Sequence, residues 1–152
     1  MNILYLNNEM TIGGVAKCIF KLSKELKSEN KIFIASKENG ALLGEFEKSG
    51  IRNIPLCDVE RKSPINILKN IIKIIKIVKK NNIEIIHSHH RMTTFLAKIA
   101  SKFTKVRVIH TQHSIILDKI FSTKVILNNI PVIAVSNAVK ENLINDYKLD
   151  SN

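Results

Sequence analysis

Short continuous runs of apolar residues alternate with longer stretches of helical periodicity along the whole chain. The apolar runs predict six strands, at residues 3–6, 32–35, 51–56, 83–86, 106–111 and 131–135. The helical stretches predict helices at residues 15–26, 40–49, 64–80, 93–103, 118–127 and 137–147. Apolar runs without alternation are typical of parallel strands that are covered on both faces. The pattern therefore predicts an α/β domain with a Rossmann-like, doubly wound parallel sheet of about six strands.

The helix predicted at residues 64–80 has the clearest two-sided pattern, and Pro64 is well placed to begin it. At about 100° per residue, seven apolar side chains fall within an arc of about 160°: Ile67, Leu68, Ile71, Ile72, Ile74, Ile75 and Val78. We expect this arc to pack on the sheet, which leaves only the lysines opposite it for contact with anionic lipid. Those lysines are Lys69, Lys73, Lys76 and Lys80. The alternative is that the lysine face is simply solvated.

Composition excludes several classes of protein and leaves the meaning of the charge open. The chain has 152 residues, 45% of them hydrophobic, which suits one domain with a buried core and not intrinsic disorder. Two cysteines exclude a disulfide scaffold, and no apolar run is long enough to span a membrane. The first residues do not resemble a signal peptide, so we expect a cytoplasmic protein. The net charge of +11 indicates anionic ligands, an anionic membrane or neither, whereas few aromatic residues and no known binding motif disfavour nucleic acid.

A glycine pair lies between the first predicted strand and the first predicted helix. Gly13 and Gly14 would let backbone N–H groups approach an anion at the helix start, where Lys17 would add positive charge. The loop matches neither the dinucleotide-binding fingerprint nor the Walker A motif. The pair therefore predicts either a contact with phosphate or a turn that needs small residues.

All five histidines lie at the ends of two successive predicted strands. His87, His89 and His90 follow the fourth strand, and His110 and His113 end or follow the fifth. Because the carboxyl ends of parallel strands meet at one edge of a sheet, we expect a ligand site there. His-x-His spacing suits a metal ion, but neither loop carries a carboxylate. The alternatives are hydrogen bonding of imidazole to a sugar or phosphate and, for any single histidine such as His110, a purely structural role.

Four stretches of the sequence carry motifs near the ends of predicted strands. They are residues 12–17 (IGGVAK, near GG-x-E-R), 85–89 (IIHSH, near D-x-x-H-x-H), 108–113 (VIHTQH, near P-V-V-x-T-x-H) and 132–140 (VIAVSNAVK, near V-I-A-V-S-x-A-V-K/R). In this order they resemble the N-terminal domain of family 4 glycosyltransferases, and the resemblance covers essentially the whole chain. The sequence departs from the family pattern at Ala16 and Lys17, where the family has Glu and Arg, and at Glu84, where it has Asp.

The resemblance implies a retaining enzyme of GT-B architecture that transfers a hexosyl unit without a metal or other cofactor. Its donor would be a UDP- or GDP-sugar, and its acceptor a glycan or a lipid-linked precursor. Residues 1–152 would form the N-terminal, acceptor-side domain. The C-terminal donor-binding domain, with its E-x7-E motif, is absent from this sequence. We therefore expect the isolated chain to be inactive, because half of the cleft is missing.

The same resemblance implies roles for individual residues. His113 would lie beside the donor sugar as the catalytic residue, and Gly13 and Gly14 would approach the donor phosphates. Further predicted substrate-binding residues are Lys17, His89 and Ser136. For Ser136 the alternative is a helix N-cap, because it directly precedes the last predicted helix.

Other functions stay open at the level of sequence. A separate chain could supply the donor domain, which would make this protein a subunit of a split glycosyltransferase. The chain could instead be a non-catalytic module that binds anions or a membrane surface, or a metal-dependent hydrolase. With a lipid-linked acceptor, the lysine-rich helix face would rest on the inner face of the plasma membrane.

Overall fold

Six parallel strands form one sheet in the computed structural model, which describes residues 1–61 and 63–149. The strands are β1 (Asn2–Leu6), β2 (Lys31–Ser36), β3 (Asn53–Pro55), β4 (Ile85–Ser88), β5 (Arg107–Gln112) and β6 (Val132–Ala134). Their order across the sheet is β3-β2-β1-β4-β5-β6, and each neighbouring pair is parallel. The predicted Rossmann-like parallel sheet of six strands is therefore confirmed.

Helices cover both faces of this sheet. They are α1 (Gly14–Leu26), α2 (Leu43–Lys48), α3 (Pro64–Asn81), α4 (Arg91–Ser101), α5 (Ile120–Leu127) and α6 (Asn137–Asn145). One core, which includes Leu4 and Ile86, lies between the sheet and helices α3 and α4. A second core, which includes Ile3 and Tyr5, lies between the opposite face of the sheet and helices α1 and α2. This arrangement confirms the prediction of a doubly wound α/β domain.

Strand β4 starts and ends two residues later than its apolar run predicts, and this changes the position of one histidine. The strand is Ile85–Ser88, so His87 lies within the sheet and not in the loop beyond it. In the register of the sheet, His87 is paired with Tyr5 of β1 and with Ile109 of β5. Ile83, at the start of the predicted strand, is buried just beyond the end of α3. The prediction that His87 follows the strand is therefore wrong.

Helix α3 turns a different face to the sheet from the one that its apolar pattern predicts. Its buried residues are Asn70, Ile74, Ile77 and Val78. Leu68 and Ile72 are 58% and 44% exposed. The expectation that both of these side chains pack on the sheet is therefore wrong.

Asn70 accounts for this rotation of α3. Its side chain accepts a hydrogen bond from the N–H of Cys57 at 2.9 Å and donates one to the Cys57 carbonyl at 2.8 Å. Cys57 lies in the loop after β3, where its backbone groups need partners from outside the sheet. An inward Asn70 satisfies them and turns the apolar residues of the first half of α3 outward. Within the described ranges, no helix is long and apolar enough to cross a membrane.

The carboxyl ends of β1 and β4 lie side by side at the centre of the sheet. From β1 the chain continues to β2 and β3 on one side, whereas from β4 it continues to β5 and β6 on the other. The loops after β1 and β4 therefore diverge and leave a crevice, the usual position of a ligand in open α/β sheets. At its floor the N–H of His89 donates to the Leu6 carbonyl at 2.9 Å.

Candidate functional site

A cluster of imidazoles lines the crevice beyond β4 and β5. His89 Nδ1 and His113 Nε2 lie 2.8 Å apart, within hydrogen-bonding distance. The ring of His87 packs at a tilt on the ring of His89, with 4.3 Å between the two centroids. His87 Nε2 also lies 2.7 Å from the Thr111 hydroxyl. The tertiary structure thus brings together two of the predicted site residues, His89 and His113, from successive strands.

A buried polar network supports the loop that carries His113. His110 Nδ1 lies 2.8 Å from the Thr94 hydroxyl, and His110 Nε2 lies 3.0 Å from Gln112 Oε1. The Gln112 amide donates to the Ser114 carbonyl at 2.7 Å, so the atom that it turns to His110 is its oxygen. His110 must therefore carry its proton on Nε2 and accept a hydrogen bond from Thr94. This geometry gives His110 the structural role that was one alternative from the sequence.

The proton shared by His89 and His113 has one favoured placement. His89 Nε2 is buried and has no hydrogen-bond partner among the described residues. A proton there would leave a buried N–H group unpaired, which is rarer in proteins than an unpaired buried acceptor. The proton of His89 therefore belongs on Nδ1, which donates it to His113 Nε2. His113 then carries its own proton on Nδ1, in position to donate to a ligand.

Burial keeps these imidazoles neutral at physiological pH. Desolvation, reinforced by the neighbouring imidazoles, lowers the pKa of His87 to about 4 and that of His89 to about 2. Burial likewise lowers the pKa of His110 to about 4 and lowers the pKa of His113. The cluster therefore acts through the hydrogen bonds of neutral rings and not as a set of cations. In residues 1–61 and 63–149, no three His, Cys, Asp or Glu side chains are placed to hold a metal ion.

The start of α1 presents free backbone N–H groups at the same edge of the sheet. Gly13 is the N-cap residue, and no side chain caps the helix. The N–H of Lys17 makes the first helical hydrogen bond, to the Gly13 carbonyl at 3.0 Å. The N–H groups of residues 14–16 therefore have no partner within the helix. Together with the helix dipole, they favour an anion at this position.

The two glycines at this helix start are not required by the fold itself. A Cβ atom on Gly13 or on Gly14 would meet no other atom within 4 Å. The φ of Gly13 is −162°, extended backbone that any residue adopts, and Gly14 has no positive φ. This geometry does not support the alternative of a turn that needs small residues. What the glycines do provide is open space in front of the helix.

Lys17 and Ser136, the other two predicted substrate-binding residues, are both exposed. Lys17 lies in the first turn of α1 and makes no ion pair within the described part of the chain. Ser136 is the N-cap of α6 and accepts a hydrogen bond from the N–H of Val139 at 3.3 Å, so its predicted capping role is confirmed. Ser136 also lines a surface cavity of about 810 Å³ that none of the histidines reaches. The structure therefore does not bring Ser136 together with the imidazole cluster.

A set of charged residues on the other side of the crevice was not indicated by any motif. Lys37 Nζ lies 3.4 Å from the Glu9 carboxylate and 3.1 Å from the Asp58 carboxylate. The Glu60 carboxylate lies 4.0 Å from His90 Nε2. The only feature of the sequence that could have indicated these residues as part of a site is their position soon after a strand. Glu9, Lys37, Asp58 and Glu60, which we call the charged rim, follow β1, β2 and β3 and so form a polar wall on the opposite side of the crevice from the imidazoles of β4 and β5.

Both the sequence and the fold match glycosyltransferases. The model of the family described as Glycosyltransferase Family 4 matches residues 12–152. No curated protein matches the chain at a significant level. Among solved structures, the chain is similar to Anabaena HepE in complex with UDP-glucose, with a TM-score of 0.79 and 18% identity over 96% of this chain. It is also similar to the apo form of the lipopolysaccharide outer core galactosyltransferase WaaB, with a TM-score of 0.70 and 16% identity over 95% of this chain.

A third similar structure is the sucrose-phosphate synthase from Thermosynechococcus elongatus, with a TM-score of 0.70 and 12% identity over 98% of this chain. The chain spans less than half of each of these proteins, namely 40% of HepE, 42% of WaaB and 46% of the synthase. At sequence identities of 12% to 18%, the similarity shows that this chain shares the fold of these proteins. The sheet and its helices are those of a GT-B N-terminal-like domain.

Proposed function

Since the chain belongs to Glycosyltransferase Family 4, we propose that it is the acceptor-side half of an enzyme that transfers a sugar from a nucleotide-diphosphate sugar to a glycan or lipid-linked acceptor. One observation carries the proposal: the hydrogen-bonded pair of His89 and His113 lies at the same sheet edge as the uncapped start of α1. A neutral imidazole donor near free backbone N–H groups suits a ligand with both hydroxyls and phosphates. The similar HepE was solved with UDP-glucose and with UDP, which supports a nucleotide sugar as the donor.

The donor diphosphate would lie in front of α1. The N–H groups of residues 14–16 would donate to its oxygens, and Lys17 would neutralise further charge. Gly13 and Gly14 leave the space through which a phosphate can approach the backbone. UDP- and GDP-sugars share this diphosphate, so both fit the same argument.

His113 is the proposed catalytic residue. Its Nδ1–H would donate to a hydroxyl of the donor sugar and hold the sugar in place for reaction, while the N–H groups at the start of α1 would stabilise the negative charge that develops on the leaving diphosphate. His89, which donates to the other ring nitrogen, would act as a positioning residue. Because the ring is neutral, it supplies a directed hydrogen bond from Nδ1–H without bringing a positive charge to the site.

The acceptor would lie against the charged rim. Lys37 is held between the carboxylates of Glu9 and Asp58, so the rim offers fixed donors and acceptors to sugar hydroxyls. This wall faces the imidazole cluster across the crevice. An acceptor placed there would meet the donor sugar between the two walls.

Sugar transfer would need a donor-binding domain in addition to residues 1–152, on the same or a separate polypeptide. The chain spans 40% of HepE, and one sheet edge forms only one wall of a cleft. We expect the 152-residue chain to bind a nucleotide sugar weakly and to show no transfer by itself. Co-purification with a donor-binding chain would support a split enzyme.

An NMR titration of the ¹⁵N-labelled chain with UDP-glucose and with UDP tests the site. We expect shifts at the amides of residues 14–17 and at the ring of His113. Gly14→Val fills the space in front of α1 and should weaken binding at least about tenfold, or 1.4 kcal/mol. Gly44→Val is the matched control, since a Cβ atom on Gly44 also meets nothing within 4 Å. The control should bind like the unchanged chain.

Several outcomes would contradict the proposal. If Gly14→Val and Gly44→Val weakened binding equally, the proposed position of the diphosphate at the start of α1 would be wrong. Rapid sugar transfer by the isolated chain would show that no second domain is needed. Vesicle binding by an unchanged chain that has no affinity for nucleotide sugars would indicate a non-catalytic membrane-binding module.

A further inference from the structure

The outward face of α3 combines exposed apolar side chains with lysines. Ile65, Leu68 and Ile72 are 65%, 58% and 44% exposed. Lys69 and Lys76 are exposed beside them. At about 100° per residue, these five side chains fall within an arc of about 100°. They form one continuous surface along the helix, which we call the α3 strip.

The charge of the α3 strip is of one sign. Helix α3 contains lysines on its outward side and no Asp or Glu. Contiguous exposed apolar surface usually marks an interaction site. A lysine face that is only solvated would therefore not be expected to contain three large exposed apolar side chains at helical spacing. The partner that fits must therefore be both apolar and negatively charged.

A second exposed apolar group lies in the same layer of helices. Leu117, in the loop before α5, and Phe121, in the first turn of α5, are 88% and 82% exposed, and Lys124 is exposed nearby. Helix α4 packs between α3 and α5. Because each of these helices returns antiparallel to the strands, their first turns lie at the crevice end of the sheet. The apolar groups of α3 and α5 therefore flank the candidate site.

We propose that the α3 strip docks on an anionic lipid bilayer. Ile65, Leu68 and Ile72 would enter the interfacial region, with Lys69 and Lys76 on the lipid phosphates, as in an amphipathic helix that lies in the plane of the membrane. A second copy of this chain fits less well, because a symmetric contact would oppose lysine to lysine with no carboxylate between them. The inference deepens the proposed function, since a docked α3 would turn the crevice towards a lipid-linked acceptor.

Sedimentation with lipid vesicles tests the docking. The 152-residue chain is mixed with vesicles of phosphatidylcholine alone or of phosphatidylcholine with an equal part of phosphatidylglycerol. We expect it to sediment with the mixed vesicles, less so as salt is added, and hardly at all with phosphatidylcholine alone. Absence of binding to the mixed vesicles would overturn the proposal.

A triple variant tests the apolar part of the α3 strip. Ile65→Ser/Leu68→Ser/Ile72→Ser should reduce the partition coefficient at least about tenfold, because the apolar area available for insertion is lost. Phe103→Ser is the control, since Phe103 is 63% exposed but lies just after the last turn of α4, at the opposite end of the sheet. Equal binding by the two variants would overturn the docking.

A charge-reversal pair tests the lysines. Lys69→Glu/Lys76→Glu should reduce the partition coefficient at least about tenfold. Lys21→Glu/Lys105→Glu makes the same change in net charge at exposed residues outside the α3 strip and should reduce it much less. An equal loss in both pairs would show attraction by net charge alone and overturn a docking surface on α3.

Two controls keep these outcomes separate. Circular dichroism checks the fold of each variant, and if the serine variant does not fold, the lysine pair decides because it keeps the apolar side chains. Light scattering tests for a dimer. A dimer that forms in the unchanged chain and is lost in the triple variant would show that the α3 strip binds a second copy, and would overturn the proposal of membrane docking. Vesicle binding needs no nucleotide sugar, so its failure and a failure of the UDP-glucose titration are distinguishable.

Discussion

One shared proton determines which atom of the imidazole pair faces a ligand. His89 Nε2 is buried without a partner, so the proton of His89 is on Nδ1 and is given to His113 Nε2. That hydrogen bond requires His113 to hold its own proton on the opposite nitrogen. His89 thus determines which nitrogen of His113 is the hydrogen-bond donor, although neither ring carries a charge at neutral pH.

Removal of the His89 donor should change the tautomer of His113. In ¹⁵N-histidine NMR spectra, we expect His113 to be protonated on Nδ1 in the unchanged chain and to shift towards Nε2 protonation in His89→Phe. His90→Gln is the control, because His90 makes no hydrogen bond to the pair. Protonation of His113 on Nε2 in the unchanged chain would contradict the inferred placement of the proton.

At the scale of single elements, one polar residue orients the longest helix. Asn70 is buried on the side of α3 that also buries Ile74, Ile77 and Val78, because it pairs with both backbone groups of Cys57. The cost of leaving the two half-buried backbone groups of Cys57 unpaired outweighs the gain from burying one more apolar side chain. Helix α3 therefore exposes Leu68 and Ile72.

Asn70→Leu should destabilise the fold even though leucine suits the apolar pattern. Loss of both hydrogen bonds to Cys57 should lower the free energy of unfolding by about 1–3 kcal/mol. Asn66→Leu, on the same helix at a half-buried position, should change it by less than about 0.5 kcal/mol. Urea denaturation measures both. An Asn70→Leu protein as stable as the unchanged chain would refute the orienting role of Asn70.

At the scale of the whole molecule, the three-layered fold makes stability depend on the neutral form of its histidines. Helices on one face and loops at the sheet edge bury His110, which is 1% exposed. Burial lowers its pKa from 6.5 to about 4 in the folded chain. Between these values the unfolded chain binds the additional proton, so acid favours unfolding.

The free energy of unfolding should therefore fall as the pH is lowered. The stability that depends on a neutral His110 is fully present above about pH 6.5. Between pH 6.5 and pH 4 the free energy of unfolding should fall by about 1.4 kcal/mol per pH unit because of this residue. Urea denaturation at several pH values should show a smaller slope for His110→Asn, which removes this titration. A slope unchanged by the substitution, or stability that rises in acid, would contradict the assignment.

Much of the fold and part of the site follow from local pattern. Apolar runs and helical spacing predicted the six strands of the sheet, and the parallel topology placed His89 and His113 at one edge of it. The pattern misplaced His87 because apolar character begins before β4 does: Ile83 is apolar since it closes the end of α3. The charged rim had no motif, because its members come from three loops that meet only in the folded chain.

What the sequence by itself determined is the alternation of strands and helices, and with it the sheet edge at which a site can lie, because both depend on local periodicity. Only the tertiary structure decided that His89 donates to His113 and that His110 stays structural, since hydrogen bonds depend on register and rotamers across strands. The outward apolar face of α3 was likewise decided by a contact distant in sequence, the pairing of Asn70 with Cys57. Periodicity shows that a helix has two faces, whereas its partners decide which one is buried.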